Sequence, residues 1–180
     1  MIRAGVVLAV AAVAGTAHAD GHAVSAGLSW ATFSVPGKKM GNMEPPSISP
    51  DIGGTLSGVY EYALSTDVSL RGEAAFGVFS GGEMKGQSST SFAGLGDAGV
   101  AFRFDVLKYV PYAFAGLGGV YAGGGPIDRG GDLVLVIGGG LDILVSRERS
   151  WGFEARLASF GGDITLFTFG VRATHRWGIF

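Results

Sequence analysis

The chain ends with "GVRATHRWGIF", residues 170–180, in which apolar and polar residues alternate. Val171 and Trp177 fall on one side of this pattern, whereas Arg172 and Arg176 fall on the other. A period of two is typical of a β-strand whose two faces meet different surroundings. The stretch therefore predicts a final strand with arginines on one face and apolar side chains on the other.

The preceding sequence repeats this pattern in segments separated by clusters of turn-forming residues. Their length suits a tilted membrane-spanning strand, which needs ~9–11 residues, better than the ~5–6 residues usual in soluble domains. The eight predicted strands cover residues 22–34, 52–64, 68–80, 92–106, 110–122, 132–145, 151–160 and 164–177. The fold class that follows is all-β, an eight-stranded antiparallel up-and-down transmembrane β-barrel.

Long and short connections alternate between these strands. The long ones are 35–50, 81–91 and 123–131, the short ones are 65–67, 107–110 and 146–150, and the last, near 161–163, is short and breaks the rhythm. In outer-membrane barrels the periplasmic turns are short and the external loops are longer. With both chain ends on the periplasmic side, we expect the three long connections to face outward from the cell.

The two faces of the predicted strands differ in chemistry. One face carries large aliphatic and aromatic residues, and on the fifth strand these are Tyr112, Phe114 and Val120. The other face carries six acids and five arginines, namely Glu61, Arg71, Glu73, Asp97, Arg103, Asp105, Asp142, Glu154, Arg156, Arg172 and Arg176. Because an unpaired buried charge costs several kcal/mol, and because the forked donors of arginine suit carboxylates, we predict an ion-paired network in a lumen behind a lipid-facing exterior.

A soluble barrel of the lipocalin kind is the structural alternative, with the apolar face inward and the charged face in water. The surface of a soluble barrel would normally carry lysine freely. The chain has four lysines, and Lys38, Lys39 and Lys85 lie in the long connections. The charge distribution therefore favours the membrane barrel.

The first nineteen residues have the features of a secretory signal peptide. "MIR" carries a positive charge, an apolar stretch follows, and "AHA" precedes Asp20 as a cleavage site. We predict cleavage after Ala19, so that residues 1–19 are the signal peptide and residues 20–180 form one barrel domain. An uncleaved N-terminal helix is the alternative.

Composition excludes several classes of function. The chain of 180 residues has 33 glycines, no cysteine, 47% hydrophobic residues and a formal net charge of −2. Disulfides and thiolate metal sites are impossible without cysteine, and the hydrophobic content argues against disorder. Since there is no basic stripe, we expect no nucleic-acid partner.

Two features invite a chemical interpretation, and each has a structural one. "GLGDAG", residues 94–99, matches the dinucleotide-binding fingerprint, but strand alternation follows it where that motif requires a helix. His22 and His175 are the histidines after Ala19, too few for a metal site. We therefore expect no catalytic residue, no metal and no cofactor.

The signal peptide, the eight strands, the alternating connections and the final aromatic strand resemble the small eight-stranded outer-membrane barrels of the OmpA/OmpX type, in their barrel domain. "GVRATHRW" is similar to the final-strand signal by which such proteins are inserted. The resemblance implies outer-membrane lipid and the barrel-insertion machinery as partners, with the signal carried by Phe169, Val171, Trp177 and Phe180. Counting by twos from Phe180 would place two arginines in lipid, so we favour a strand registered on Trp177 over a bulge at Gly178.

The functional prediction is an outer-membrane protein with a structural or surface-interaction role rather than an enzyme. The long connections at 35–50, 81–91 and 123–131 would be available to an external ligand. Two alternatives remain open. One is a narrow channel for small solutes, and the other is a lipid-modifying barrel enzyme that uses His175 on its outer surface.

Overall fold

The computed structural model describes residues 21–36, 47–49, 52–81, 90–104, 108–124, 130–159 and 164–178. The regular elements in these ranges are the strands β1 (His22–Pro36), β2 (Ser47–Ile48), β3 (Ile52–Ala63), β4 (Val68–Ser80), β5 (Thr90–Arg103), β6 (Tyr109–Gly123), β7 (Gly130–Leu144), β8 (Arg149–Ser159) and β9 (Thr165–Trp177). The predicted signal peptide and its cleavage after Ala19 lie outside the described residues. Across the described ranges, no helix has the length and hydropathy needed to span a membrane.

The eight long strands form a closed barrel. Each of them pairs antiparallel with its neighbour in the chain, and β1 also pairs with β9 from His22↔Trp177 to Ser34↔Thr165. Closure leaves no unpaired strand edge in the barrel wall. The predicted eight-stranded antiparallel up-and-down barrel is therefore confirmed, with strand ends within a few residues of those expected.

One short element was not predicted. β2 pairs with the end of β1 through Val35↔Ile48 and Pro36↔Ser47, inside the connection predicted for 35–50. β1 continues this far because Val35 is buried inside the barrel. Proline is tolerated there because a strand end does not need its N–H group. β2 thus extends the wall beside the last residues of β1.

The short connections at 65–67, 107–110 and 146–150 join strands at one end of the barrel, where His22 of β1 and Trp177 of β9 also lie. The backbone N–H of Arg176 donates to the carbonyl of Glu148 at 2.7 Å, and that of Ala63 donates to Gly21 at 2.8 Å. We call this the turn end. The opposite end, where the long connections and the connection near 161–163 join the strands, is the loop end.

The two faces of the wall have opposite polarity. Large apolar side chains are exposed on the outside of all eight barrel strands, as at Leu28, which is 64% exposed, and Leu133, which is 79% exposed. Charged side chains point inward, where Glu61 is 1% exposed and Asp142 is completely buried. This distribution is the inverse of that in a soluble protein, where charged residues are almost never fully buried unless paired.

The face predicted for β6 is wrong. Tyr112, Phe114 and Val120 are buried in the lumen, whereas the sequence interpretation placed them on the apolar exterior. Both faces of β6 are apolar, so alternation alone did not decide between them. The neighbouring strand resolves it, because Tyr112 pairs with Gly140 and Phe114 with Gly138, and these glycines leave room for the inward rings.

Candidate functional site

The lumen is the candidate functional site, since it contains the residues predicted to form a charge network. Asp105 lies outside the described residues, and the other ten predicted residues all occupy inward positions. Asp97 and Glu154 are half-buried. The buried members are Glu61, Arg71, Glu73, Arg103, Asp142, Arg156, Arg172 and Arg176.

Arg71 on β4 connects three carboxylates. Its Nη2 atom lies 2.7 Å from Glu73 Oε2 and 3.0 Å from Glu154 Oε1, and its Nη1 atom lies 3.8 Å from Glu61 Oε1. Glu61 is on the neighbouring strand β3, whereas Glu154 reaches Arg71 from β8 on the far side of the lumen. One guanidinium thereby joins opposite walls of the barrel.

Arg172 on β9 also contacts three carboxylates. Its Nε and Nη2 atoms donate to the two carboxylate oxygens of Asp142 at 3.0 and 2.9 Å, the bidentate geometry in which arginine binds carboxylates most specifically. Its Nη1 atom lies 3.2 Å from Glu154 Oε2 and 3.5 Å from Glu61 Oε1. Arg176 adds a contact of 2.5 Å to Asp142 Oδ2. The carboxylate of Asp142 is therefore shared by two arginines.

Two further arginines complete this set, because Arg103 contacts Glu61 and Arg156 contacts Glu73. We call the nine connected residues the ionic layer: Glu61, Arg71, Glu73, Arg103, Asp142, Glu154, Arg156, Arg172 and Arg176. It occupies the lumen from the turn end to the middle of the strands. Each charge in it faces at least one opposite charge, which offsets the cost of burial.

Asp97 differs from the other predicted network residues. It faces the lumen directly opposite Glu73 in the β4–β5 pairing. Within the described part of the chain it has no ion pair, and its Oδ2 atom is buried without a hydrogen-bond partner. The structure therefore leaves Asp97 beside the ionic layer rather than within it.

Two aromatic rings lie against the ionic layer. The guanidinium carbon of Arg172 is 4.1 Å from the centre of the Tyr112 ring, and that of Arg71 is 3.8 Å from the centre of the Phe114 ring. The Tyr112 hydroxyl also donates to Glu154 Oε2 at 2.9 Å. Such cation–π contacts hold a guanidinium plane in place while leaving its N–H groups for carboxylates. Sequence reasoning missed these rings, although the glycines opposite them in β7 were a usable signal.

The loop-end half of the lumen has a different chemistry, which the sequence interpretation did not single out. It is filled by an apolar layer consisting of Phe33, Val35, Phe79, Leu95, Val120, Val134, Val136, Ile164 and Leu166. The rings of Phe33 and Phe79 meet edge to face with their centres 4.5 Å apart. Tyr112 and Phe114 belong to the same contact cluster and join it to the ionic layer.

The other sequence motifs acquire structural roles. Residues 94–99, which match the dinucleotide fingerprint, lie inside the uninterrupted strand β5 and are not followed by a helix N-terminus. In the ranges that the structure describes, no group of three His, Cys, Asp or Glu residues is placed to hold a metal ion. The described lumen thus offers charge pairing and packing as its chemistry.

The final strand ends at Trp177. Phe169, Val171 and Trp177 are exposed on the outer face, and Gly178 leaves the strand with a φ of 91°. Phe180 lies outside the described residues. The role of these residues as an insertion signal stays a prediction, and the strand itself is registered on Trp177, which pairs with His22.

Comparison with known proteins gives the same fold. No protein-family model matches the chain, and no curated protein matches its sequence. Among solved structures, Neisserial surface protein A (NspA) has a TM-score of 0.62 at 15% identity, covering 86% of this chain and 96% of its own. The outer membrane protein OprG from Pseudomonas aeruginosa has a TM-score of 0.59 at 9% identity, covering 88% of this chain and 96% of its own.

A third similar structure is Ail, the attachment invasion locus protein of Yersinia pestis, in complex with the heparin analogue sucrose octasulfate. Its TM-score is 0.55 at 18% identity, with 87% of this chain and 98% of that chain covered. At these identities the likeness concerns the fold. It confirms the predicted resemblance to small outer-membrane β-barrels.

Proposed function

We propose that this protein is an integral β-barrel of the bacterial outer membrane, with a structural and surface-interaction role and a lumen filled by its own side chains. The observation that carries the proposal is the inverted polarity of the wall, with the ionic layer buried inside and large apolar side chains exposed outside. Hydrocarbon requires such an exterior together with a closed set of backbone hydrogen bonds. The fold shared with the outer membrane protein OprG supports the same location.

Cell fractionation tests the location. We expect the protein in the envelope fraction, resistant to urea washing and released by detergent. A periplasmic protein and an established outer-membrane protein serve as markers in the same preparation. Recovery in the aqueous periplasmic extract would instead identify a soluble barrel.

Orientation can be read from the lysines. Lys38, Lys39 and Lys85 belong to the long connections, whereas Lys108 is exposed in a short connection at the turn end. We expect a membrane-impermeant amine reagent to label the first three in intact cells and Lys108 after lysis. Labelling of Lys108 in intact cells without the others would reverse the proposed orientation and place the long connections inside.

The lumen is closed in two successive layers, so we expect no ion conduction. Eight strands leave an interior that side chains can fill, and both the ionic and the apolar layer use it. After insertion into a planar bilayer has been verified, the current should show no single-channel steps. The double variant Phe33→Ala/Phe79→Ala should also stay silent, because the ionic layer still closes the turn end. Steps in the unmodified protein would favour the channel function.

A surface role would use the connections at 35–50, 81–91 and 123–131. Their sequences contain four basic residues (Lys38, Lys39, Lys85 and Arg129) and three acidic ones (Glu44, Glu83 and Asp128), a formal sum of +1. Because the net charge of these connections is so small, we do not propose that this protein binds a sulfated ligand such as the heparin analogue found with Ail. Replacing them by short glycine–serine linkers should preserve insertion while removing cell-surface binding of antibodies raised against the intact protein.

A lipid-modifying activity at His175 is not proposed. The positions paired with His175 are Val24 and Arg149, and the neighbouring outward positions on β9 are Ala173 and Trp177. None of these side chains supplies the hydroxyl that such chemistry requires as a nucleophile. Unchanged lipid acylation in cells that express the His175→Ala variant would agree with this assignment.

A further inference from the structure

A patch of aromatic and cationic side chains lies on the outer surface at the turn end, where β8, β9, β1 and β3 adjoin. The indole of Trp177 is nearly parallel to two imidazoles, with ring centres 5.7 Å from His22 and 5.8 Å from His175 and interplanar angles of 15° and 28°. His22 Nδ1 is 2.7 Å from the Tyr60 hydroxyl. We call His22, Tyr60, Arg149, His175 and Trp177 the seam patch.

Strand register brings Arg149 into this patch. Arg149 on β8 is directly opposite His175 on β9, while His175 is directly opposite Val24 on β1. Side chains opposite each other in an antiparallel pair start about 4.5–5.5 Å apart, so the exposed Arg149 guanidinium can share a ligand with the imidazole. The five arginines of the ionic layer contact carboxylates inside the lumen, whereas Arg149 faces outward.

The outer face of these four strands has no compensating carboxylate among the described residues. β1 and β9 contain no acid, and Glu61 of β3 and Glu154 of β8 point into the lumen. The groups that face the imidazoles are Tyr60 and Tyr62 from β3, Trp177 from β9 and Arg149 from β8, with Arg147, Glu148 and Asp67 exposed in the adjoining turns. On the described outer face of these strands, the seam patch thus carries the Arg149 cation without a carboxylate beside it.

The position of the seam patch defines what can cover it. Val24 and Val171 continue the exposed apolar surface from the patch toward the loop end, and the turns on its other side are polar. Tryptophan and tyrosine are enriched at this boundary between hydrocarbon and water. A molecule that covers the patch must therefore be apolar toward the middle of the barrel and anionic at its turn end.

We propose that the seam patch binds a net-anionic glycerophospholipid in the leaflet nearest the turn end. Its phosphodiester lies between Arg149 and the two imidazoles, and its acyl chains lie along Val24 and Val171. A charge-assisted hydrogen bond from arginine is a strong one for a phosphate oxygen, and an imidazole N–H can add a second donor. The site rests on the membrane location proposed above, and it adds a specific lipid to the apolar belt.

Lipid titration of the purified protein in detergent micelles tests the site, with phosphatidylglycerol as the probe and native mass spectrometry as the readout. Arg149→Gln should weaken binding about tenfold, the loss expected for one charge-assisted hydrogen bond. Arg147→Gln is the matched control, because it removes the same charge from the adjoining turn. Equal losses in the two variants would overturn the site, as would equal affinity for phosphatidylcholine.

The two imidazoles are tested in the same measurement. The double variant His22→Phe/His175→Phe keeps a ring at each position but removes the N–H donors, so it should weaken phosphatidylglycerol binding. An affinity equal to that of the unmodified protein would contradict the proposal. Urea-resistant insertion into vesicles is measured in parallel. Failure to insert would contradict the membrane location, whereas normal insertion without lipid selectivity would contradict the seam patch alone.

Discussion

The ionic layer and the apolar layer fill the same lumen by different physical rules. In the ionic layer, Arg71 and Arg172 hold carboxylates from several strands, so removing one side chain leaves opposite charges buried without a partner. In the apolar layer, Phe33 and Phe79 meet through dispersion contacts, so removing one ring leaves an empty space. A substitution in the ionic layer should lower stability through unpaired charge, whereas one in the apolar layer should lower it through lost packing. Site-directed variants can therefore separate the two effects.

At the boundary between the two layers, the same side chains make both kinds of contact. Tyr112 and Phe114 present ring faces to Arg172 and Arg71 and also belong to the apolar cluster. A polar interior can therefore pass into an apolar one within a short distance, because an aromatic ring accepts a cation on its face and aliphatic neighbours at its edges.

The largest effect is expected in the ionic layer. Arg71→Met keeps much of the side-chain volume but removes the charge shared by Glu61, Glu73 and Glu154. We expect the free energy of unfolding in detergent micelles to fall by about 5 kcal/mol, the upper end of the cost of breaking a buried ion pair. Urea titration followed by tryptophan fluorescence measures it. Arg147→Met, in an exposed turn, should change the value by less than about 0.5 kcal/mol. Similar losses in both would mean that the lumenal pairs do not stabilise the barrel.

The apolar layer should respond less strongly. Phe79→Ala empties the space beside Phe33, with an expected loss of about 3 kcal/mol in the same titration. Phe76→Ala is the matched control, because Phe76 lies on the same strand and faces outward. We expect the control to lose less than half as much, since lipid or detergent chains can fill the vacated surface. An equal loss in the two variants would contradict a packed lumen at the loop end.

Gly138 tests the boundary between the two layers, because it lies directly opposite Phe114. A Cβ atom at Gly138 would lie 2.4 Å from Cζ of Phe114 and 2.5 Å from the backbone oxygen of Ala155. A Cβ atom at Gly96 would have only one atom within 4 Å, the backbone oxygen of Glu73 at 3.9 Å. We expect Gly138→Ala to cost about 2 kcal/mol through overpacking, while Gly96→Ala is neutral or slightly stabilising. If the two variants unfold at the same urea concentration, the inward rings do not require the glycine.

Alternation of residue types was enough to predict the strands and the inward position of the charges, because each of these depends on one strand at a time. The two charged residues in "FEARL", 153–157, for example, identify the inward face of β8 without any knowledge of the neighbouring strands. The same reasoning could not predict the contacts across the lumen. Whether Arg71 meets Glu154 depends on how far β4 and β8 are staggered around the barrel, and sequence alternation carries no information about stagger.

The wrong face of β6 has a related cause. Residues 109–123 are apolar or glycine at nearly every position, so the largest side chains were assigned to lipid. The inward rings at Tyr112 and Phe114 are stabilised by glycines on β7 and by arginines on β9 and β4. Pairing aromatic residues with glycines on the next strand would have corrected the assignment.

Asp97 gives the smallest expected effect, and it contrasts with Glu73, the residue of the ionic layer that lies directly opposite it. Glu73 and Asp97 are directly opposite each other on β4 and β5, yet Glu73 contacts Arg71 and Arg156, while Asp97 has no ion pair among the described residues. Glu73→Gln should therefore destabilise the barrel by about 3 kcal/mol, because it leaves guanidinium charge uncompensated. Asp97→Asn should change the free energy of unfolding by no more than about 0.5 kcal/mol, or increase it, because it removes a half-buried charge that forms no ion pair with the described residues. Parallel urea titrations decide the matter. A large loss in Asp97→Asn would show that this carboxylate is bound by a partner and belongs to the ionic layer.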